Sequence, residues 1–369
     1  MFYDVLMPFA ERQKIDMKKI SFVIGSLTGG GAERVISILS NKFAEKGYDV
    51  SIIQFFYDKV DYEISDKVHI YTIHSEQKKV FLRYPHKIIL LRRLLKKLDS
   101  DCVISFLWDI NLCTILSKLF IRGKLIISER NDPHVDPKNK ILQSLKNVMY
   151  LCADNIVFQT HDALEFFPRP IKKRGVIIGN PINTNMPYWD LDQSKKRIIA
   201  VNRITKQKNL PMLIKAFDLV KDKFPDYKLH IYGRGEAENE IQQLIAQLNL
   251  NSRVELKGFS NNIYEEIKKS RLYVISSDYE GLSNSMLEAL AIGIPVIATD
   301  CPIGGAKEYI TDGVNGMLVN CGDIQVLSKK IELLLMNDEM SKKFSTESIK
   351  IRKQLNPDRI VNIWEQLIL

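Results

Sequence analysis

Residues 277–300 read SDYEGLSNSMLEALAIGIPVIATD, directly after the apolar run LYVIS. The pattern parses as strand, loop, short helix, glycine stop at Gly293, proline, strand. Ser283, Asn284 and Ser285 are residue types favoured at a helix N-cap, and a glycine just past a helix ends it. A strand that feeds a helix and then a second strand is a parallel βαβ unit. Two carboxylates flank the helix start: Glu280 in the loop and Glu288 eight residues on, within the helix. The free amides of that helix start point back into the loop and suit phosphate oxygens. Taken alone, the two glutamates also read as one capping and one solvated residue.

The same unit recurs outward in both directions. In the second half RIIAVNRI (197–204), YKLHIYGRGE (227–236), RVELKGFS (253–260) and NGMLVN (315–320) are further strands. In the first half KKISFVIGS (18–26) is a strand followed by the glycine-rich LTGGGAERV (27–35), which enters a helix. DVSIIQFF (49–56), DCVISFL (101–107), KLIISER (124–130) and DNIVFQT (154–160) are strands with helical patterns between them. Alternating strands and helices predict two α/β domains with parallel, doubly covered sheets. Proline, asparagine and aspartate gather between Pro181 and Lys196, where neither period persists, so the linker falls there. The expected division is 1–182, 183–350 and a terminal helix in 351–369, with residues 1–16 read as an extension before a natural start at Met17. Ligands of such sheets sit outside the carboxyl ends of the strands, where most residues singled out here fall.

The chain has 369 residues, 45% hydrophobic and 26% charged, which suits a globular protein of more than one core. No apolar run approaches the roughly 20 residues of a membrane span. Five scattered cysteines without a C-x-x-C pair match neither a zinc site nor a disulfide framework, and fit a reducing cytoplasm. The net charge is +9, and residues 1–180 hold 28 Lys and Arg against 20 Asp and Glu. The basic excess belongs to the first half, which points to an anionic partner: a phosphorylated ligand, a membrane surface or a nucleic acid.

The 277–300 segment resembles the E-x7-E segment of the family-4 retaining glycosyltransferases, which have the two-domain GT-B fold. GGGAERV, the NP at 180–181, NRITKQKN (202–209), YGRGE (232–236) and CPIGGAKEYI (301–310) extend the resemblance over most of the chain. The resemblance implies that Arg203 and Lys208 hold a donor diphosphate and that Gly30 passes close to the same phosphates. It implies that backbone groups around Arg234 and Phe259 read the nucleobase. Ser283 and Asn284 stand at the helix start, Glu288 binds the ribose, and Glu280 meets the donor sugar at the reacting centre. Departure of a diphosphate builds negative charge; two cations and a helix N-terminus stabilise it without a metal. DSD (99–101) and DLD (190–192) read as solvated turns rather than metal ligands, and no cofactor is implied.

In such enzymes the first half takes the acceptor. PHKIILLRRLLKKLDS (85–100) reads as a basic helix with Arg92, Arg93, Lys96 and Lys97 opposite Ile88, Leu91 and Leu95, and Lys78, Lys79, Arg83, His86 and Lys87 lie upstream. It suits either an ordinary packed helix or one that meets anionic lipid or a lipid-linked diphosphate. Glu129 and Arg130 end a strand in the cleft; relatives place a histidine near this point, and here Arg130 stands instead. The expectation is therefore a retaining, metal-independent transferase. It would move a sugar from a nucleotide diphosphate, with uridine favoured, to a glycan or polyprenyl-diphosphate-linked acceptor. The expected setting is the inner face of a bacterial membrane making surface polysaccharide, without nucleic acid. The alternatives are an NAD-dependent oxidoreductase, weakened by the absent G-x-G-x-x-G, and a non-catalytic basic membrane- or nucleic-acid-binding protein.

Overall fold

The computed structural model describes residues 18–77 and 79–369, so the expected extension 1–16 and the charge of Lys78 lie outside the described residues. Among the described residues, thirteen strands form two sheets. The first contains β1 (Lys19–Ile24), β2 (Asp49–Gln54), β3 (Val68–Thr72), β4 (Cys102–Phe106), β5 (Lys124–Ser128), β6 (Asn155–Phe158) and β7 (Gly175–Ile177), in the order β3-β2-β1-β4-β5-β6-β7. The second contains β8 (Arg197–Val201), β9 (Lys228–Tyr232), β10 (Val254–Gly258), β11 (Leu272–Ile275), β12 (Val296–Asp300) and β13 (Met317–Asn320), in the order β10-β9-β8-β11-β12-β13. All pairings are parallel. The central strands read as near-continuous apolar runs because helices cover both faces; β1, β4 and β12 are buried almost throughout.

This is the GT-B architecture, two Rossmann-like domains facing across a cleft. In each sheet the strand order reverses once, between β1 and β4 and between β8 and β11. Those are the switch points where open α/β sheets bind ligands. Gly29–Gly31 follows β1, Arg203 and Lys208 follow β8, and Glu280 follows β11.

The terminal helix Pro357–Ile368 returns to the first domain. Asn356 caps it by accepting from the amides of Asp358 and Arg359, and Pro357 starts it where its missing N–H costs nothing. Ile360, Val361, Trp364 and Ile368 form its buried stripe. Trp364 stacks on Phe106 of β4 at 5.8 Å, and Glu365 accepts from Tyr48 at 2.8 Å. One apolar cluster therefore runs from Phe22 and Phe43 through Trp364 to Leu287 and Ile292 of the second domain.

The basic helix begins earlier than its sequence pattern indicates, at Val80, with Pro85 inside it. Leu91 and Leu95 are buried against the sheet, so its apolar side belongs to the core. Lys87 is also buried, donating to the carbonyl of Phe55 with its ammonium over the rings of Phe55 and Phe56. It is therefore not one of the surface cations that the sequence pattern suggests.

Candidate active site

The loops after β8 and β11 form one floor. Lys208 donates to both carboxylate oxygens of Glu280, at 2.6 and 2.7 Å, and the two side chains are 9% and 14% exposed. Gln207 donates to the Tyr279 carbonyl at 2.9 Å, and Asn209 to Asp278 at 2.6 Å. A lysine this buried requires an opposite charge nearby, and Glu280 supplies it. Arg203 is exposed beside this floor and its charge acts on Glu33 of the opposing domain. Burial raises the Glu33 carboxyl above its usual range, and its own amide and Arg203 pull the other way.

The helix Asn284–Ile292 starts at this floor. Ser283 caps it by accepting from the Met286 amide, and Ser285 donates to the carbonyl of Val201 at the end of β8, 2.8 Å away. Gly293 ends it in the left-handed conformation, φ 91°. Gly281, in the loop before this helix, stands against the first domain. A Cβ there would lie 2.4 Å from the backbone carbonyl oxygen of Arg130 and 3.1 Å from Gln159. Glycine is required because the two domains touch at that point.

Contacts across the cleft continue from Asn284. Its side-chain oxygen accepts from Asn180 at 2.6 Å, and its amide donates to the carbonyl of Gly31 at 3.2 Å. Asn180 accepts in turn from Arg130 at 2.6 Å and from Gln159 at 2.8 Å. The Arg130 guanidinium lies over the Phe106 ring at 4.0 Å, with Nε and Nη2 unpaired among the described residues. Burial without a counter-charge lowers its pKa to about 9.

Glu288 is almost fully buried and pairs with Arg34, which stands on the helix Gly31–Glu45 of the first domain. Tyr264 donates to the same Glu288 oxygen at 2.8 Å and accepts from Arg34 at 2.7 Å. Burial, then Glu288, pushes the Tyr264 phenol up to about 12. Burial alone would lower the Arg34 pKa; Glu288 and Tyr264 outweigh it and hold the guanidinium charged. Both contacts fall on Oε1, and Oε2 has no side-chain partner among the described residues. Gly30 is the N-cap of the Gly31–Glu45 helix, and a Cβ there would collide with the Glu33 carboxylate.

The structure thus brings Gly30, Arg203, Lys208, Glu280, Ser283, Asn284 and Glu288 to one cleft, with Arg130 joined through Asn180. Arg234 and Phe259 stand in the adjacent loops after β9 and β10: the Arg234 carbonyl accepts from the Ile204 amide at 2.9 Å, and Gly233 donates to Gly258 at 2.8 Å. Phe259 is 76% exposed there. Glu129 does not join them; its carboxylate is buried against Lys146 at 3.1 Å and Tyr150 at 2.9 Å. Burial raises the Glu129 carboxyl, with Lys146 and Tyr150 pulling the other way. Arg92, Arg93 and Lys96 also stand apart. Their helix leads back to the amino end of β4, the edge opposite the cleft, and Arg92 caps a neighbouring helix by donating to the carbonyls of Ser117 and Leu119. Among the described residues no group of His, Cys, Asp and Glu could hold a metal ion, and no helix is long and apolar enough to cross a membrane.

Arg34, Tyr264, Asn180 and Gln207 have no assigned role in the sequence reading. Arg34 follows the glycine loop by three residues on the same helix face, which is the one local signal that could have found it. Tyr264 carries no such signal.

A chain with two facing Rossmann-like domains and this doubly paired carboxylate segment matches the glycosyltransferases. Residues 29–186 match the model of Glycosyltransferase Family 4, and residues 182–351 match Glycosyl transferases group 1. The chain belongs to this family of glycosyltransferases. It is 30% identical over 362 residues to a Campylobacter jejuni GalNAc-alpha-(1->4)-GalNAc-alpha-(1->3)-diNAcBac-PP-undecaprenol alpha-1,4-N-acetyl-D-galactosaminyltransferase, covering 95% of this chain and 98% of the relative. The sucrose-phosphate synthase of Thermosynechococcus elongatus shares the fold with a TM-score of 0.84 at 17% identity, over 95% of this chain and 98% of that one. HepE of Anabaena, solved in complex with UDP, does so with a TM-score of 0.78 at 16% identity, over 95% and 99%.

Proposed function

We propose that this chain is a retaining, metal-independent glycosyltransferase that moves a sugar from a UDP-sugar to a hydroxyl of a growing lipid-linked glycan. The setting is surface-polysaccharide assembly at the inner face of the cell membrane. The observation that carries this reading is the Lys208–Glu280 pair at 2.6 Å, held at the N-terminus of the helix that carries Glu288. The Campylobacter relative named for an undecaprenyl-diphosphate substrate supports the acceptor class, and the HepE complex with UDP supports the base.

In this reading the donor lies along the cleft with its base at the Arg234 and Phe259 edge. Glu288 Oε2 accepts from the ribose hydroxyls, and Arg34 and Tyr264 hold the carboxylate in place. Arg203, Lys208, the backbone at Gly30 and the amides of the helix start after Ser283 receive the diphosphate. Negative charge grows there as the glycosidic bond breaks, so these fixed donors stabilise the transition state more than the ground state. Glu280 stands at the sugar, where its charge favours an oxocarbenium-like centre. Asn284 and Arg130 close the first domain over the sugar. The departing phosphate takes the acceptor proton on the face it leaves, so configuration is kept without a protein nucleophile.

The test is thermal unfolding against UDP, GDP, ADP and NAD, each in EDTA and again with magnesium. A ligand held at about 100 times its Kd stabilises by about 2.7 kcal/mol. The expected result is a UDP shift that persists in EDTA. A shift from NAD alone, or from none of the four, would overturn the reading.

A further inference from the structure

The helix Lys140–Tyr150 is folded with its polar side inward. Asn139 caps it, accepting from the amides of Ile141 at 2.8 Å and Leu142 at 3.3 Å. Its buried side chains are Lys146 and Tyr150. Ile141, Leu145 and Val148, spaced to fall on one helix face, are 79%, 47% and 66% exposed, and Leu142 beside them is 40% exposed. A surface helix of a globular protein normally does the reverse, and a stripe like this marks a binding face.

The inner face is tied to the loop that leaves β5 for the cleft. Lys146 binds Glu129 at 3.1 Å and the Asp136 carbonyl at 3.4 Å, and Gln143 donates to the Pro133 carbonyl at 2.7 Å. Arg130, in that same loop, touches Asn180 and Gly281. Whatever covers the outer face therefore sits at a fixed position relative to the mouth of the cleft.

The neighbouring helices on this side of the sheet are Trp108–Lys118 and Val80–Leu98, packed in sequence beside it. Together the three helices contain nine Lys and Arg and a single acid, Asp109. Lys87, Lys118 and Lys146 are buried, and the other six reach solvent. Just past the Trp108–Lys118 helix, Phe120 is 98% exposed beside Leu119, whose carbonyl is bound by Arg92. Apolar side chains on a layer of helices whose exposed charges are mostly cations complement an anionic bilayer surface. A second copy of this chain would bring like charge against like charge.

We propose that the Lys140–Tyr150 helix is a membrane-seating element, with Ile141, Leu145 and Val148 in the headgroup–acyl boundary of an anionic bilayer. Lys138, Lys140 and the cations of the Val80–Leu98 helix lie among the headgroups. The inference rests on the lipid-linked acceptor proposed above and names the surface that meets the lipid. The Glu129–Lys146 pair fixes the height of the cleft above the bilayer.

The test is co-sedimentation of the full chain with vesicles of phosphatidylglycerol mixed with phosphatidylcholine, and with phosphatidylcholine alone. The variant Ile141→Asp/Val148→Asp changes only exposed side chains, and the UDP-induced unfolding shift reports that its fold and donor site persist. The expected result is sedimentation of the wild type with the anionic vesicles, reduced about tenfold or more in the variant, with equal UDP shifts. Equal sedimentation of wild type and variant, or equal binding to neutral and anionic vesicles, would overturn the proposal. So would a wild-type dimer without vesicles that the variant dissociates. A wild type that ignores vesicles yet responds to UDP would remove this surface and leave the transferase reading standing.

Discussion

Gly281→Ala tests whether the closed approach of the two domains is the reactive arrangement. The added Cβ would stand 2.4 Å from the Arg130 carbonyl oxygen, about 1 Å inside ordinary contact. The obstacle is backbone on both sides, so neither partner can swing away as a flexible side chain would. The cleft must open by a comparable distance, which carries Arg130 and the Asn180–Asn284 bridge away from the proposed sugar position. A displacement of about 1 Å at reacting groups costs on the order of 100-fold in rate. No apolar side chain is removed by the substitution, so the unfolding midpoint should move little. Most of the UDP-induced shift should survive too, since every proposed diphosphate contact except the Gly30 backbone belongs to the second domain. The assay is steady-state transfer with the sugar nucleotide that turns over fastest, read as kcat/KM. A variant within about twofold of wild type, with its UDP shift intact, would refute the argument that the Gly281–Arg130 contact belongs to the reactive state.

Two further outcomes follow from charged pairs. Glu280→Gln keeps the shape of the floor but removes the charge proposed to stand beside the sugar; transfer should fall by about 100-fold or more while the UDP shift persists, and near-normal turnover would remove Glu280 from the reaction. Lys146→Met leaves Glu129 buried without its cation, a loss of about 3–5 kcal/mol at neutral pH, measured by denaturant unfolding. Glu129 already has a raised pKa, so the folded chain takes up a proton at a higher pH than the unfolded chain does. Stability of the variant relative to wild type should therefore recover as pH falls through the Glu129 range, because a protonated carboxyl needs no counter-charge. A deficit that grows in acid would contradict the pairing.

The central strands were legible because burial on both faces writes itself as an apolar run: β1, β2, β4, β5 and β6, and β8, β9, β11 and β12, coincide with runs read from sequence, as do the edges β10 and β13 of the second sheet. The two missed strands are the edges of the first sheet. β3 is VHIYT, with His69 and Ile70 exposed, and β7 is three residues long before a Gly-Asn-Pro turn. An edge strand has one neighbour and a half-wet face, so its composition resembles a loop. The second-domain side of the cleft was legible for another reason. Glu280, Lys208 and Ser283 sit in loops of strand–loop–helix units whose ends are marked by capping residues.

What sequence does not show is the partner across a gap. Arg34 and Glu288 are 254 positions apart and meet only because β1 and β11 both stand at switch points. The basic helix and the Lys140–Tyr150 helix pose the same difficulty in opposite directions. A period of 3.6 reveals that a helix has an apolar face but not whether that face looks in or out. The tertiary structure turns Leu91 and Leu95 inward and Ile141 and Val148 outward.

The side of the helix that each charge occupies decides what Glu129 is for. A carboxylate at the end of β5 invites a role at the substrate, yet burial with Lys146 and Tyr150 leaves it no open path to the cleft. A buried ion pair contributes little net stability compared with apolar packing of the same volume. Its use must therefore lie in what it fixes. Here it fixes a helix whose outer face is apolar to a loop whose next residue, Arg130, holds the bridge to Asn284. An apolar pair at the same place would pack as well but would let the helix roll, since nothing would then distinguish the inward register from one that buries Ile141 and Val148. The ion pair specifies the less favourable packing, with greasy residues left in water, which is reasonable only if that face is covered in use.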